Sequence, residues 1–109
     1  MSGAAPASGD SRRKYHRFHL REQAVLRYAA GTFAVYTKDV SRMGMGVMVP
    51  EQLFPCDEFE LLMPGEQWIS LIVRRCRRVQ EECYDVGAEF AAGILNPGRY
   101  KQMIQHVGL

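Results

Sequence analysis

The 109-residue chain has no apolar run approaching the roughly 20 residues that span a bilayer, and no basic start leading into an apolar stretch. These absences predict a cytoplasmic protein with neither membrane segment nor secretory leader. Cysteine is scarce: Cys56, Cys76 and Cys83 are an odd set without C-x-x-C spacing. That argues against a disulfide framework and fits a reducing compartment, with each thiol expected to act as a small buried hydrophobe. The net charge of +2 is too small for a general nucleic-acid binder. No serine–histidine–acid set and no G-x-x-x-x-G-K phosphate loop occurs. His16 and His19 form an H-x-x-H, but the neighbouring arginines would repel a metal ion, and no carboxylate or cysteine cluster completes a site. The chain is therefore not expected to be an enzyme, or to hold a metal or cofactor.

What is present is one domain's worth of strand-like runs separated by glycine and proline. Residues 1–11 are small and polar and read as a flexible lead-in to a domain over 12–109. The basic stretch 12–21, RRKYHRFHLR, reads as a loop. Gln23 to Tyr28 and Thr32 to Thr37 form a hairpin about Ala29-Ala30-Gly31. Further strands are expected over Gly44–Val49, Phe59–Met63, Gln67–Val79 and Cys83–Phe90. Many short strands at short spacing predict an antiparallel barrel or sandwich, and a six-stranded closed barrel over about 22–90 suits this size. At the end Asn96 can cap and Pro97 suits the first helical position. Tyr100, Met103, Ile104 and Val107 then recur at helical spacing, predicting a short α-helix over about 97–107 whose apolar stripe packs on the barrel.

Two segments carry chemistry. The first contains Arg13 and Arg17, spaced R-x-x-x-R, with Arg12 just ahead. The second, Asp39-Val40-Ser41-Arg42-Met43-Gly44, places a carboxylate, a hydroxyl and a glycine between two strands. Arginine grips phosphate, or the O6/N7 edge of guanine, through two parallel hydrogen bonds. A carboxylate accepts from the N–H groups on guanine's other edge. A hydroxyl donates or accepts, and glycine lets backbone approach closely. An anionic purine nucleotide needs this set. Asp39 and Ser41 also suit a turn on their own account, since both residue types bond neighbouring backbone. Arg74, Arg75, Arg77 and Arg78 form a second basic cluster, which faces Glu81, Glu82 and Asp85 across a predicted turn. Cross-strand ion pairing on the barrel exterior accounts for it, and one of these arginines could also reach a ligand.

The R-x-x-x-R and D-x-S-x-x-G motifs, in that order and ahead of Val86-Gly87-Ala88-Glu89-Phe90, resemble a PilZ domain from about Arg12 to Phe90. The resemblance implies a six-stranded barrel and a non-catalytic bacterial receptor for the second messenger cyclic di-GMP. Carried over by motif, the ligand-binding residues are Arg12, Arg13, Arg17, Asp39, Ser41 and Gly44. An arginine at position 12 implies an intercalated cyclic di-GMP dimer, where a bulky apolar residue implies one molecule. The expected mechanism is a mobile basic arm that ligand pins across the barrel near Asp39, altering the surface offered to a downstream protein target. Outputs in the family include motility, surface attachment and exopolysaccharide production. Two other readings are a small basic barrel for single-stranded nucleic acid and a PilZ-type protein–protein adaptor that needs no ligand. The aromatics, Tyr15 and Phe18 apart, do not interleave with the basic clusters, which disfavours the first. The intact motifs disfavour the second.

Overall fold

Alternation of inward apolar and outward polar side chains sets the strands: Ala24 and Leu26 are buried while Gln23, Val25 and Arg27 face out. A computed structural model describes residues 16–29 and 31–107. In chain order the elements are β1 (Phe18–His19), β2 (Gln23–Tyr28), β3 (Gly31–Val40), β4 (Gly44–Val49), β5 (Glu58–Leu62), β6 (Ile69–Gln80), β7 (Cys83–Phe90) and α1 (Pro97–Val107). The sheet runs β1-β3-β2-β5-β6-β7-β4, and β3 also pairs with β4. That last pairing closes six antiparallel strands into a barrel, with β1 as an added strand alongside β3. Leu26, Val35, Val47, Phe59, Leu61, Leu71, Val73 and Val86 fill its interior.

The predicted six-strand barrel and C-terminal helix are what the chain forms. Two details differ. β3 runs on to Val40, so Asp39 sits within a strand rather than in the turn. β1 lies in a segment read as loop, held by Leu20 N–H donating to the Lys38 carbonyl at 3.1 Å. The Thr37 hydroxyl ties the same segment, donating to the Leu20 carbonyl at 2.6 Å and accepting from the Glu22 N–H at 2.9 Å.

Asn96 Oδ1 caps α1 by accepting from the Arg99 N–H at 2.7 Å. Met103 is fully buried, and Tyr100 and Ile104 pack beside it against the core. Arg99 pairs with Glu66 at 2.7 Å and fastens the helix to the β5–β6 connection. The cysteines are free thiols as expected, but none is fully buried: Cys76 and Cys83 are half-buried, and Cys56 is exposed, with a φ of 76° in the turn before β5.

Candidate functional site

Backbone register decides which side chains share a face. Along β3, Val35 and Thr37 point inward, and strict alternation would send Asp39 inward too. A β-bulge at Lys38 interrupts the register: Thr37 lies opposite Val47 of the core, but Asp39 lies opposite Gly46 on the outer face. A second bulge does the same on β6. Val73 faces Ala88 inside, whereas Arg75 faces Gly87 outside. Gly46 and Gly87 are themselves cross-strand partners. One row across the outer surface therefore reads Asp39, Gly46, Gly87, Arg75, over β3, β4, β7 and β6.

The two glycines matter because side chains lie over them. A Cβ on Gly46 would sit 2.8 Å from Asp39 Oδ1, so the carboxylate rests on the bare backbone of β4. A Cβ on Gly87 would sit 3.2 Å from Arg75 Nε, so that arginine leaves β6 and lies across β7.

Arg17 approaches from just ahead of β1. Its Nη1 donates to Asp39 Oδ1 at 2.6 Å, with Asp39 almost wholly buried. Arg17 Nε is buried and has no hydrogen-bond partner among the described residues. Sequence reasoning puts Arg17 on a mobile arm with Arg12 and Arg13; in this structure β1 pairing, with His19 opposite Asp39, sets Arg17 against the carboxylate. Arg12 and Arg13 lie outside the described residues.

Ser41 and Gly44 form the adjoining turn. Ser41 N–H donates to the Gly44 carbonyl at 2.8 Å, and Ser41 Oγ accepts from the N–H groups of Met43 and Gly44 at 3.1 and 3.3 Å. The buried hydroxyl thus closes its own turn and keeps one proton to donate. Gly44 has a backbone reason to be glycine: an added Cβ would lie 1.9 Å from the Ala88 carbonyl oxygen.

The second basic cluster resolves into separate roles. Arg77 and Lys38 both reach Asp85, at 3.2 and 2.7 Å. Burial pushes the Asp85 carboxyl up, but hydrogen bonds and charge from Lys38 and Arg77 outweigh it and hold the group below its ordinary value. Arg74 pairs with Glu89 at 3.0 Å. Among the described residues the acidic partners are thus Asp85 and Glu89, not Glu81 or Glu82. Arg78 lies opposite Tyr84, whose ring packs against the core, and so belongs to the other face. Arg75 has no ion-pair partner among the described residues and stands in the row of Asp39. Elsewhere, an open recess of about 420 Å³ includes Arg27, but that arginine is bound to Glu60 at 2.6 Å and stacked on Trp68.

The site can therefore offer a guanidinium and a carboxylate side by side over Gly46, with a second guanidinium over Gly87, its partner on the next strand. Arginine's fork suits paired acceptors, and the carboxylate suits paired N–H donors.

Comparison with known proteins agrees with the fold. The sequence pattern of the PilZ domain matches residues 11–106. The inhibitor of motility MotI/DgrA from Bacillus subtilis superposes with a TM-score of 0.63 at 17% identity, over 87% of this chain and 49% of its own. MrkH, described as a cyclic di-GMP-dependent transcription regulatory factor, superposes with a TM-score of 0.57 at 17% identity, over 86% of this chain and 48% of its own. The chain thus spans about half the length of each of these structures. No curated protein matches it in sequence.

Proposed function

The chain belongs to the PilZ domain family, and we propose that it is a non-catalytic receptor for cyclic di-GMP that seats its ligand on the outer face of β3, β4 and β7. The observation that carries this reading is the Arg17–Asp39 pair, 2.6 Å apart above Gly46, with a buried arginine N–H left without a partner among the described residues. A buried donor without an acceptor is costly, and a ligand oxygen would relieve it. Asp39 accepts from N1–H and the N2 amino group of guanine. Arg17 stays at its side and, with Arg13, meets the phosphates. The Ser41 proton is available to a ligand oxygen at the rim of the turn, and Gly44 holds β4 close to β7 beneath it. Arg12 adds a third guanidinium, whose charge and flat face suit a second, intercalated cyclic di-GMP.

Because Arg17 is docked beforehand, the switch lies in what Arg12 and Arg13 do when the phosphates arrive. Drawing them onto the barrel face changes the surface available to a downstream protein, and that differential affinity is the signal. The protein acts in the cytoplasm, where the ligand is made and where its thiols stay reduced. The likeness to an inhibitor of motility supports an output in motility.

Calorimetric titration with cyclic di-GMP, cyclic di-AMP and a short single-stranded RNA tests the proposal. Cyclic di-GMP should bind far more tightly than cyclic di-AMP, because adenine presents a donor where guanine has O6. Equal affinity for the two would remove the guanine-reading argument. Preferential binding of RNA would replace it with nucleic-acid recognition, and no binding of any of the three would leave the adaptor reading.

A further inference from the structure

Resting on that reading, we infer that Arg75, which lies in neither motif, is a specificity-determining residue that reads the O6/N7 edge of the guanine whose other edge Asp39 holds.

Three observations carry this. The first is placement. Strict alternation would turn both Asp39 and Arg75 into the core, and separate bulges on β3 and β6 bring both out onto one face. The second is the floor between them. Asp39 lies over Gly46 and Arg75 lies over Gly87, and those glycines are direct partners on adjacent strands. Neighbouring strands are about 4.8 Å apart, so the carboxylate and the guanidinium stand about one strand spacing from each other. A guanine that approaches this pair edge-on meets the carboxylate with its N1/N2 side and the guanidinium with its O6/N7 side, two edges that adjoin on the ring. The third is charge. Arg17, Lys38, Arg74 and Arg77 on this face each have a carboxylate within 3.2 Å, and Arg75 has none among the described residues. Its fork is available without breaking an ion pair to any described residue.

The assignment divides the work of the site. Asp39 and Arg75 read the base, and Arg17 and Arg13 are left to the phosphates. Arginine suits this edge better than lysine, since two acceptors side by side match its parallel donors.

A double perturbation tests it. Wild type and Arg75→Ala are titrated with cyclic di-GMP and with its 7-deazaguanine analogue, in which N7 is replaced by C–H. Base reading predicts that Arg75→Ala weakens cyclic di-GMP on the order of 10- to 100-fold. Wild type should lose a large part of the same factor on the analogue, and Arg75→Ala should barely distinguish the two ligands. Arg75→Lys should recover little, because it keeps the charge and loses the fork. Melting temperatures of the free variants should match wild type, since Arg75 is exposed and holds no ion pair among the described residues. Two results overturn the assignment: equal weakening of both ligands by Arg75→Ala, which makes the contact a phosphate contact, or no weakening of either. A wild type that binds no cyclic di-GMP overturns the receptor reading itself, and is recognised before any variant is made.

Discussion

Arg17→Ala removes the cation that lies 2.6 Å from Asp39 Oδ1 and leaves a carboxylate whose side chain is only 10% exposed. With about 4 Å between charge centres and an effective dielectric near 20, the gross attraction is about 4 kcal/mol. Two effects reduce it. Arg17 is about one-third exposed, 32%, so water screens the pair. Part of the attraction only offsets the desolvation of Asp39. The net destabilisation of the free protein should be about 1–2 kcal/mol, between the values for exposed and fully buried pairs. For a domain of this size that lowers the melting temperature by roughly 5–10 °C. Asp39→Asn should be milder, because the freed arginine re-solvates, and the double variant should show a coupling of about 1 kcal/mol. The assay is thermal or urea melting of all four ligand-free proteins. Additivity of the single changes within about 0.3 kcal/mol, with Arg17→Ala melting like wild type, would refute the reasoning and return Arg17 to a free loop.

Gly44→Ala should destabilise the barrel by about 3 kcal/mol, because its Cβ meets the Ala88 oxygen at 1.9 Å and backbone must move; an unchanged urea midpoint would show that β4 and β7 part without penalty. Asp85 is held below its ordinary value, so its ion pairs stabilise the fold above the unfolded carboxylate pKa of about 3.9 and lose that contribution as pH falls through the folded value. Asp85→Asn should therefore lower stability at neutral pH by roughly 1 kcal/mol and flatten the acid limb of the pH–stability curve; parallel curves for the two proteins would contradict this. Arg12→Leu should reduce the bound cyclic di-GMP from two per chain to one if Arg12 holds the outer molecule. Unchanged stoichiometry, with a loss of affinity that fades in high salt, would mean that Arg12 contributes long-range attraction alone.

The strands were legible because each is long enough to show its alternation and ends at glycine, proline or an acidic pair, as at Pro50, Pro64-Gly65 and Glu81-Glu82. β1 was not, since two residues cannot display a period, and what makes Phe18–His19 a strand is its backbone pairing with Val40 and Asp39 of β3. The site was half legible. Residue chemistry pointed to Arg17 and Asp39, but not to their being joined before ligand arrives. Arg75 could not be separated from Arg74, Arg77 and Arg78, because a bulge chooses among them and a bulge leaves no mark in composition or periodicity. The usable signal was Gly87 inside an otherwise well-formed strand, where a bare position often marks close approach by a ligand or another chain segment.

Closure of the barrel has a further consequence, for the order in which the molecule comes into being. β4 waits for β7, whose residues 84–89 lie about 40 positions further along the chain than their partners at 44–49. During synthesis β2, β3 and β4 can meet as soon as they emerge, but Gly46 has no Gly87 beside it until nearly the whole barrel has been made. Such distant pairings are slow to form and are sealed late. A nascent or truncated chain ending before Cys83 would carry open edges on both β4 and β6, each a template for pairing with a neighbour. The Gly46–Gly87 surface is accordingly a mark of completed folding, and a half-made chain would be a hazard for aggregation rather than a weak version of the finished one.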